Sequence, residues 1–251
     1  EAGRISDSAL EEVEPKPRTE QFRSELTRLP ELTLRRKVFR SAVRILARLL
    51  VFLFTKTEMM GMEYFPRKGP ALVVANHLGD ADSALGVALL PREVDGLAKI
   101  ELYDFPVLGW LMDWYGVIWV HRGQADRKAL REALRGFEEG RLVAIAPEGR
   151  ESLTGSLEEG MNGAAYLALK GNVPVVPITL TGTGNKQVYG NMKRLKRTAV
   201  TLTVGPTFSL EHQEDFRESV REGTDRIMRT LANQLPVQYR GIYQGDRTDK
   251  E

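Results

Sequence analysis

The chain has 251 residues, of which 42% are hydrophobic and 28% are charged, and its formal net charge at pH 7 is +2. These values fit one large domain or two small ones with a buried core, and they exclude a disordered, collagen-like or disulfide-stapled protein. There is no cysteine and there are only three histidines. This excludes thiol nucleophiles and thiolate metal sites, and it argues against a multi-histidine metal centre.

The N-terminal stretch is polar and acidic. Residues 1–18 contain Pro15 and Pro17 and are expected to form a flexible tail, and a short helix is predicted over residues 20–29. No signal-peptide layout is visible at the beginning of the sequence, so the expected compartment is the cytoplasm.

A basic and apolar segment, residues 34–54, is predicted to form an amphipathic helix. Residues 33–57 carry seven basic side chains and no acidic one. Four arginines recur every four residues and would stack along one side of the helix: Arg36, Arg40, Arg44 and Arg48. The longest uninterrupted apolar run, residues 49–54, is too short to cross a bilayer, which takes about 20 residues.

The segment therefore predicts a membrane anchor over residues 19–57, with a helix that lies in the headgroup plane. Each base near an anionic leaflet contributes about 1 kcal/mol to binding. The alternative is a helix packed on the domain, with solvated arginines on its outer side.

Strand and helix signals alternate over residues 58–243. Short apolar runs bounded by turn residues predict buried strands, at residues 71–75, 117–120, 142–146, 173–180 and 199–204. Helical patterns are found at residues 127–140, 157–169 and 213–235. This alternation indicates an α/β domain with a mostly parallel central sheet and flanking helices. Residues 244–251 are expected to form a second flexible tail.

Open parallel sheets bind ligands at the carboxyl ends of their strands, so the residues after each strand are candidates for chemistry. His77 follows the first predicted strand, and a histidine oriented by a carboxylate is a natural general base. Asp82 comes five residues later, so the two side chains meet only if His77 sits on a turn and Asp82 in the opening of a helix. Asp80 is a possible helix N-cap. A buried histidine with satisfied hydrogen bonds is an equally good interpretation of His77.

Charged residues also follow the next two strands. Arg122 fits a phosphate or carboxylate ligand, or an ordinary surface salt bridge, and His121 beside it is interpreted as structural or incidental. The residues after the strand 142–146 suit an anionic substrate with hydroxyl groups, or a β-turn with capping acids: Glu148, Gly149 and Arg150.

In order and spacing, these strand exits resemble the glycerolipid acyltransferases, specifically the lysophosphatidate (1-acylglycerol-3-phosphate) acyltransferase family, over roughly residues 60–210. Four blocks carry the resemblance: Asn76 and His77 with Asp82, Gly116 to Arg122, Pro147 to Gly149 with Ser152, and the Val-Pro-Val-Val-Pro strand of residues 173–177. The chain departs from the family pattern at Arg150 and Glu151, where threonine and then arginine are usual. It also has Gly79 where a serine is common. Both departures are compatible with a different headgroup.

The resemblance implies acyl transfer from an acyl thioester, acyl-CoA or acyl-carrier protein, to the free hydroxyl of lysophosphatidate or a related lysophospholipid, giving phosphatidate. His77, held by Asp82, would deprotonate that hydroxyl. The substrate-binding residues would be Arg122, Glu148, Gly149 and Arg150. No metal, cofactor or nucleic acid is expected. The expected location is the cytoplasmic face of the cell membrane, at a surface with anionic lipids, as a peripheral or monotopic protein.

Two other functions fit parts of the sequence. One is a non-catalytic lipid-binding module with a degenerate third block. The other is a metal-dependent phosphate-ester hydrolase that uses the carboxylates near His77. One more basic cluster fits a second contact with lipid or with the phosphates of a donor, or a solvated loop: Lys193, Arg194, Lys196 and Arg197.

Overall fold

A computed structural model describes residue 19, residues 21–123 and residues 125–245. Its central sheet has seven strands: β1 (Thr55–Met60), β2 (Ala71–Ala75), β3 (Val94–Lys99), β4 (Ile118–Val120), β5 (Leu142–Ile145), β6 (Val175–Thr181) and β7 (Thr198–Val204). Their spatial order is β1-β7-β6-β2-β5-β3-β4. Neighbouring strands are parallel except β6 and β7. The predicted mostly parallel sheet is confirmed.

Helices cover both faces of this sheet. They are α1 (Leu34–Phe54), α2 (Ala81–Leu89), α3 (Pro106–Tyr115), α4 (Arg127–Glu138), α5 (Gly163–Gly171), α6 (Asn185–Lys193) and α7 (Phe216–Gln234). Alternate side chains of β2 separate the two layers of the core. Leu72 and Val74 pack with α4, α5 and α7, whereas Ala71 and Val73 pack with α1 and α2. The flanking helices of the predicted α/β fold are therefore present on both sides.

Residues 21–33 form no α-helix, so the helix predicted over residues 20–29 is wrong. Only the single 3-10 turn Ser24–Leu26 forms there. The backbone of the segment bonds side chains of the domain instead, because the N–H of Leu29 donates to Glu132 at 2.8 Å. These long-range contacts replace the hydrogen bonds that a helix would have made internally.

Some predicted segment boundaries differ from the structure, and others are not tested by it. The helix predicted to begin at residue 157 begins at Gly163. The predicted tails, residues 1–18 and 244–251, lie outside the described residues apart from the last two positions before 246. The division into an anchor and a domain at residue 57 stays a prediction, and β1, which crosses it, pairs with β7.

The arginine side of α1 faces the protein, which corrects the prediction that these side chains meet lipid headgroups or solvent. Arg40 is only 2% exposed, and its guanidinium pairs with Asp95 at 2.7 Å and Glu93 at 3.0 Å. It also lies 4.7 Å from the ring centre of Tyr115. These partners stand some 50 residues or more from Arg40 in sequence, so spacing within the helix gave no sign of them.

The other three arginines of the stripe also point to the domain. They donate to backbone carbonyls: Arg36 to Asp113 at 2.8 Å, Arg48 to Ala88 at 2.8 Å, and Arg44 to Leu90. The last two acceptors lie at the C-terminal end of α2, where helix carbonyls lack internal partners and the helix dipole favours cations. The stripe therefore caps α2 and fastens α1 to the domain.

The apolar side of α1 faces outward, next to exposed residues of α3. We call this the α1–α3 apolar surface, and its members are Leu34, Val38, Ile45, Leu46, Leu49, Leu50, Phe52, Leu53, Val107, Leu108, Trp110 and Trp114. A shallow groove of about 530 Å³ lies within it, between α1 and Trp114. In the part of the chain that the structure describes, no helix is both long and apolar enough to cross a bilayer.

Candidate active site

His77 and Asp82 form a hydrogen-bonded pair at the carboxyl end of β2. Asp82 is the second residue of α2 and His77 lies on the turn before it, which is the arrangement that their spacing required. His77 Nδ1 lies 2.9 Å from Asp82 Oδ2, and the same oxygen accepts from the N–H groups of Leu78 at 2.7 Å and Gly79 at 3.0 Å. An ionised carboxylate only accepts, so this pairing places the proton of a neutral imidazole on Nδ1 and leaves Nε2 as an acceptor.

The imidazole of His77 is partly exposed to solvent, whereas the carboxylate of Asp82 is buried. The His77 side chain is 29% exposed and that of Asp82 is 6% exposed. Within the described residues, Nε2 makes no hydrogen bond to the protein. Burial lowers the pKa of His77, but the hydrogen bond and charge of Asp82, together with Glu151 and Glu148, outweigh burial and raise that pKa above its usual value.

Glu148 supports the His77 turn from inside the protein. Its carboxylate accepts from the backbone N–H of His77 at 3.1 Å and from that of Glu158 at 2.8 Å, and its side chain is fully buried. The carbonyl of His77 accepts in turn from the N–H of Ser152 at 2.8 Å. Burial raises the pKa of Glu148 to about 7. Contact of Glu148 with substrate stays a prediction, and its position fits holding the histidine in place.

Two residues of the first block have clear local roles. Asn76 exchanges two hydrogen bonds with the backbone of Leu180, at 2.9 and 2.8 Å, and so joins the end of β2 to β6. A Cβ at Gly79 would come within 2.6 Å of the carbonyl oxygen of Thr183. Close approach of the loop after β6 therefore accounts for a glycine where the family commonly has a serine.

The third block forms a tight loop. Gly149 has a φ of +74°, and a side chain there would meet the sulfur of Met161. Arg150 is 8% exposed, and its Nε lies 2.6 Å from the carboxylate of Glu158. The loop thus holds most of the Arg150 side chain inside the protein, and phosphate binding by Arg150 stays a prediction.

Two cations lie at the exits of β3 and β4. The guanidinium of Arg122 is 19% exposed, 3.7 Å from Glu101. Lys99 ends β3, is exposed, and pairs in register with Val120, two residues before Arg122. The charge of Lys99 also acts on Glu151, the residue after Arg150. Lys99 was not predicted as a site residue because its strand has no continuous apolar run and was not recognised. Had the strand been recognised, Lys99 would have been a candidate as a charged residue at its carboxyl end.

A polar network joins α6 to the His77 turn. The N–H of Asp80 donates to Asn185 Oδ1 at 2.9 Å, and Asn185 Nδ2 donates to Glu151 at 2.8 Å. The hydroxyl of Tyr189 donates to Asp80 at 2.7 Å, and this bond raises the pKa of Tyr189 to about 12. Asp80 stands at the N-cap of α2, as the sequence allowed, but its side chain makes no capping bond.

His121 forms a second histidine–aspartate pair with the same spacing, and it is structural, as the sequence indicated. Its Nδ1 lies 2.7 Å from Asp126, its Nε2 accepts from the N–H of Arg23 at 2.9 Å, and the ring is fully buried. Both ring nitrogens are occupied, so this imidazole cannot take a substrate proton. Over the described ranges, no three His, Asp or Glu side chains are grouped so that they could hold a metal ion.

Comparisons with known proteins show which family the chain resembles. The family model described as Acyltransferase matches residues 56–181, which include His77, Asp82, Arg122 and Glu148. A chloroplast 1-acyl-sn-glycerol-3-phosphate acyltransferase of Brassica napus is 33% identical over 162 residues, covering 62% of this chain and 46% of that protein. The corresponding Arabidopsis thaliana protein is 32% identical, with 62% and 45% covered. The chain spans about half the length of these curated relatives.

A solved structure shares the fold. The crystal structure of the 1-acyl-sn-glycerophosphate (LPA) acyltransferase, PlsC, from Thermotoga maritima superimposes with a TM-score of 0.60. It is 22% identical, and the likeness covers 79% of this chain and 81% of that chain. At this identity the likeness concerns the architecture of the sheet and its helices.

Proposed function

Because this chain belongs to the acyltransferase family, whose model matches half of it, we propose that it transfers a fatty acyl group from an acyl thioester to the free hydroxyl of lysophosphatidate or a related lysophospholipid. The observation that carries the proposal is the His77–Asp82 pair, with Nδ1 bound, Nε2 without a protein partner among the described residues, and the ring partly exposed at the carboxyl end of β2. The relatives named as 1-acyl-sn-glycerol-3-phosphate acyltransferases support lysophosphatidate as the acceptor.

The proposed reaction needs only these side chains and the two substrates. Nε2 of His77 takes the proton of the acceptor hydroxyl while that oxygen attacks the thioester carbonyl, and the tetrahedral intermediate collapses as the C–S bond breaks. The proton on Nε2 then passes to the departing thiolate. Asp82 stays ionised and stabilises the imidazolium between the two steps. Glu148 serves as a positioning residue, because it holds the backbone of His77.

Lys99 and Arg122 are the groups that we propose for the acceptor phosphate. Both are cations at the same edge of the sheet as His77, on neighbouring strands. Arg122 Nε, which is buried, has no hydrogen-bond partner among the described residues. A guanidinium and an ammonium are the usual protein partners of a phosphate. The guanidinium of Arg150 pairs with Glu158 and stabilises the loop of the third block.

The acceptor and its product can be identified by mass spectrometry. Purified protein is given acyl-CoA or acyl-carrier protein together with a panel of lysolipids. We expect lysophosphatidate to gain one acyl chain and become phosphatidate. Lipid binding without any acylated product would indicate a non-catalytic lipid-binding module. Phosphate release that a chelator abolishes would indicate the metal-dependent hydrolase instead.

The rate of transfer is expected to rise with pH. The neutral imidazole is the base, and the pKa of His77 is held above the usual 6.5, so kcat/KM should rise about tenfold per pH unit below that pKa and level off above it. Asp82→Asn removes the charge that raises this pKa, so its midpoint should lie at lower pH and its plateau should be lower. A profile that falls with pH over this range, or a wild-type midpoint below 6.5, would contradict the assignment.

We propose that the α1–α3 apolar surface contacts the bilayer that holds the acceptor. β1 runs antiparallel to β2, so the junction of α1 and β1 at Thr55 lies at the same edge of the sheet as His77. Large apolar side chains at the end of α1, such as Phe52 at 67% exposed, therefore stand at the edge that binds substrate. The corresponding location is the cytoplasmic face of the cell membrane, as a peripheral or monotopic protein.

Charging this surface should release the protein from vesicles. The pair Leu49→Glu and Phe52→Glu is expected to weaken binding to phosphatidylglycerol vesicles by about a hundredfold or more, because each apolar side chain contributes about 1.5–3 kcal/mol when buried. Cosedimentation measures the effect. Arg217→Glu, at an exposed position on α7, changes the net charge by the same two units and is the control. Equal losses in both variants would show that net charge, and not the apolar surface, governs binding.

A further inference from the structure

The last residue of α6 and the loop that connects α6 to β7 are strongly basic and exposed. This basic loop consists of Lys193, Arg194, Leu195, Lys196 and Arg197, and all five residues are exposed. Within the described ranges, none of its four cations forms an ion pair with a carboxylate. The loop therefore presents four positive charges that the protein itself does not neutralise.

The side chain of Leu195 does not contribute to the stability of the fold. It has a φ of +54° and is 91% exposed. Its N–H donates to Met192 at 3.0 Å and the next N–H, of Lys196, donates to Asn191 at 2.9 Å, which is the hydrogen-bond pattern that closes a helix with a left-handed residue. Glycine is the usual residue there, because a side chain makes this conformation costly. The leucine side chain is thus strained, buries nothing, and is free to contact something outside the protein.

The basic loop adjoins the end of the α1–α3 apolar surface. Arg197 Nε donates to the carbonyl of Thr55 at 2.7 Å, and its guanidinium lies 5.2 Å from the ring centre of Phe52. At its other end, α6 bonds the His77 turn through Asn185. One short helix therefore connects the catalytic turn to the basic loop.

From these contacts we infer that the basic loop is a second membrane contact, in which Leu195 inserts into the headgroup region of an anionic bilayer and the surrounding cations bind lipid phosphates. The inference rests on the proposed function in that the acceptor is a lipid. Four unpaired cations complement an anionic leaflet, and a lone apolar side chain among them suits its interface. Together with α1, the loop would hold the His77 edge of the sheet against the bilayer.

A fluorophore at position 195 tests the insertion directly. The chain has no cysteine, so Leu195→Cys gives a single attachment site for an environment-sensitive dye such as NBD. With vesicles of phosphatidylglycerol and phosphatidylcholine, we expect the emission of the labelled protein to rise at least about twofold and shift to the blue. Arg217→Cys, labelled on α7, should change little. Vesicles of phosphatidylcholine alone should give a much smaller response at position 195.

Several results would overturn the inference. One is unchanged emission at position 195 while the protein cosediments with the vesicles. Another is an equal response to neutral vesicles. A response to acyl-carrier protein in place of vesicles would make the loop a donor-docking site. The measurement needs no turnover, so the label should respond equally in a His77→Ala background. Insertion of the wild-type protein without any acyl transfer to lysophosphatidate, or insertion of His77→Ala with its turnover retained, would refute the proposed function alone.

Leu195→Gly separates a membrane role from a structural one. Glycine suits the left-handed conformation, so the melting temperature of the variant should be unchanged or higher. Its affinity for anionic vesicles should fall about tenfold, because the inserted side chain is lost. A variant that is less stable than wild type, or that binds vesicles as tightly, would contradict the inference.

Discussion

Replacing His77 with alanine is expected to reduce acyl transfer to lysophosphatidate by about 10²- to 10⁴-fold, the usual contribution of a positioned general base. The imidazole is the group at the carboxyl end of β2 whose free nitrogen can take the acceptor proton. Its side chain is 29% exposed, so its removal should cost little stability. Initial rates at saturating donor, together with a melting curve, measure both quantities.

His121 provides a matched control for this variant. It also pairs with an aspartate five residues later, yet it is fully buried and binds both Asp126 and the backbone of Arg23. His121→Ala removes the ring's bond to Asp126, leaves the N–H of Arg23 without its acceptor and empties the space of a fully buried ring. It should lower the free energy of unfolding by about 2–4 kcal/mol, while the folded fraction keeps its activity. Retained turnover in His77→Ala would refute the proposal that His77 is the base. Inactivation of the folded His121→Ala variant would refute the structural role of His121.

Asp95→Ala is expected to lower the free energy of unfolding by about 3–5 kcal/mol, the largest effect on stability that the structure predicts. The substitution leaves Arg40, only 2% exposed, without its closest carboxylate, which lies 2.7 Å away. Arg141 also loses a contact with Asp95, at 3.4 Å. Urea denaturation measures the loss.

A second variant tests whether the unpaired charge causes this loss. In the pair Arg40→Met and Asp95→Asn, the buried cation is absent, so part of the lost stability should return. A loss below about 1 kcal/mol in Asp95→Ala, or no recovery in the pair, would contradict the view that Arg40 fastens α1 to the sheet through Asp95.

The strands that sequence patterns reveal are those with a run or an alternation of buried apolar residues. β2 was predicted at its observed bounds because Leu72, Val73 and Val74 are all buried. β1 (Thr55–Met60) and β3 (Val94–Lys99) have polar, partly exposed sequences and were missed. Their place in the sheet depends on pairing with strands that are distant along the chain, and a local pattern does not record such pairing.

Part of the candidate site was predictable from residue type together with spacing along the chain. His77 and Asp82 were predicted to meet on a turn and a helix opening, and they do. The arginine stripe of α1 was misjudged because the repeat gives the side of a helix, and only distant acceptors such as Asp95 decide which way that side faces. Glu148 could not be interpreted from local sequence either, because the backbone N–H groups that it accepts from belong to two other segments, at His77 and Glu158.

The central claim is that the imidazole of His77 is a base whose Nδ1–H is held by Asp82 and whose Nε2 is free, and nitrogen-detected NMR of the imidazole tests it most directly. Selectively labelled protein is titrated, with His77→Ala used to assign the signal. At high pH we expect the proton on Nδ1, and a titration midpoint above 6.5 that coincides with the midpoint of kcat/KM. A neutral ring with its proton on Nε2, or a midpoint below 6.5, would contradict the account.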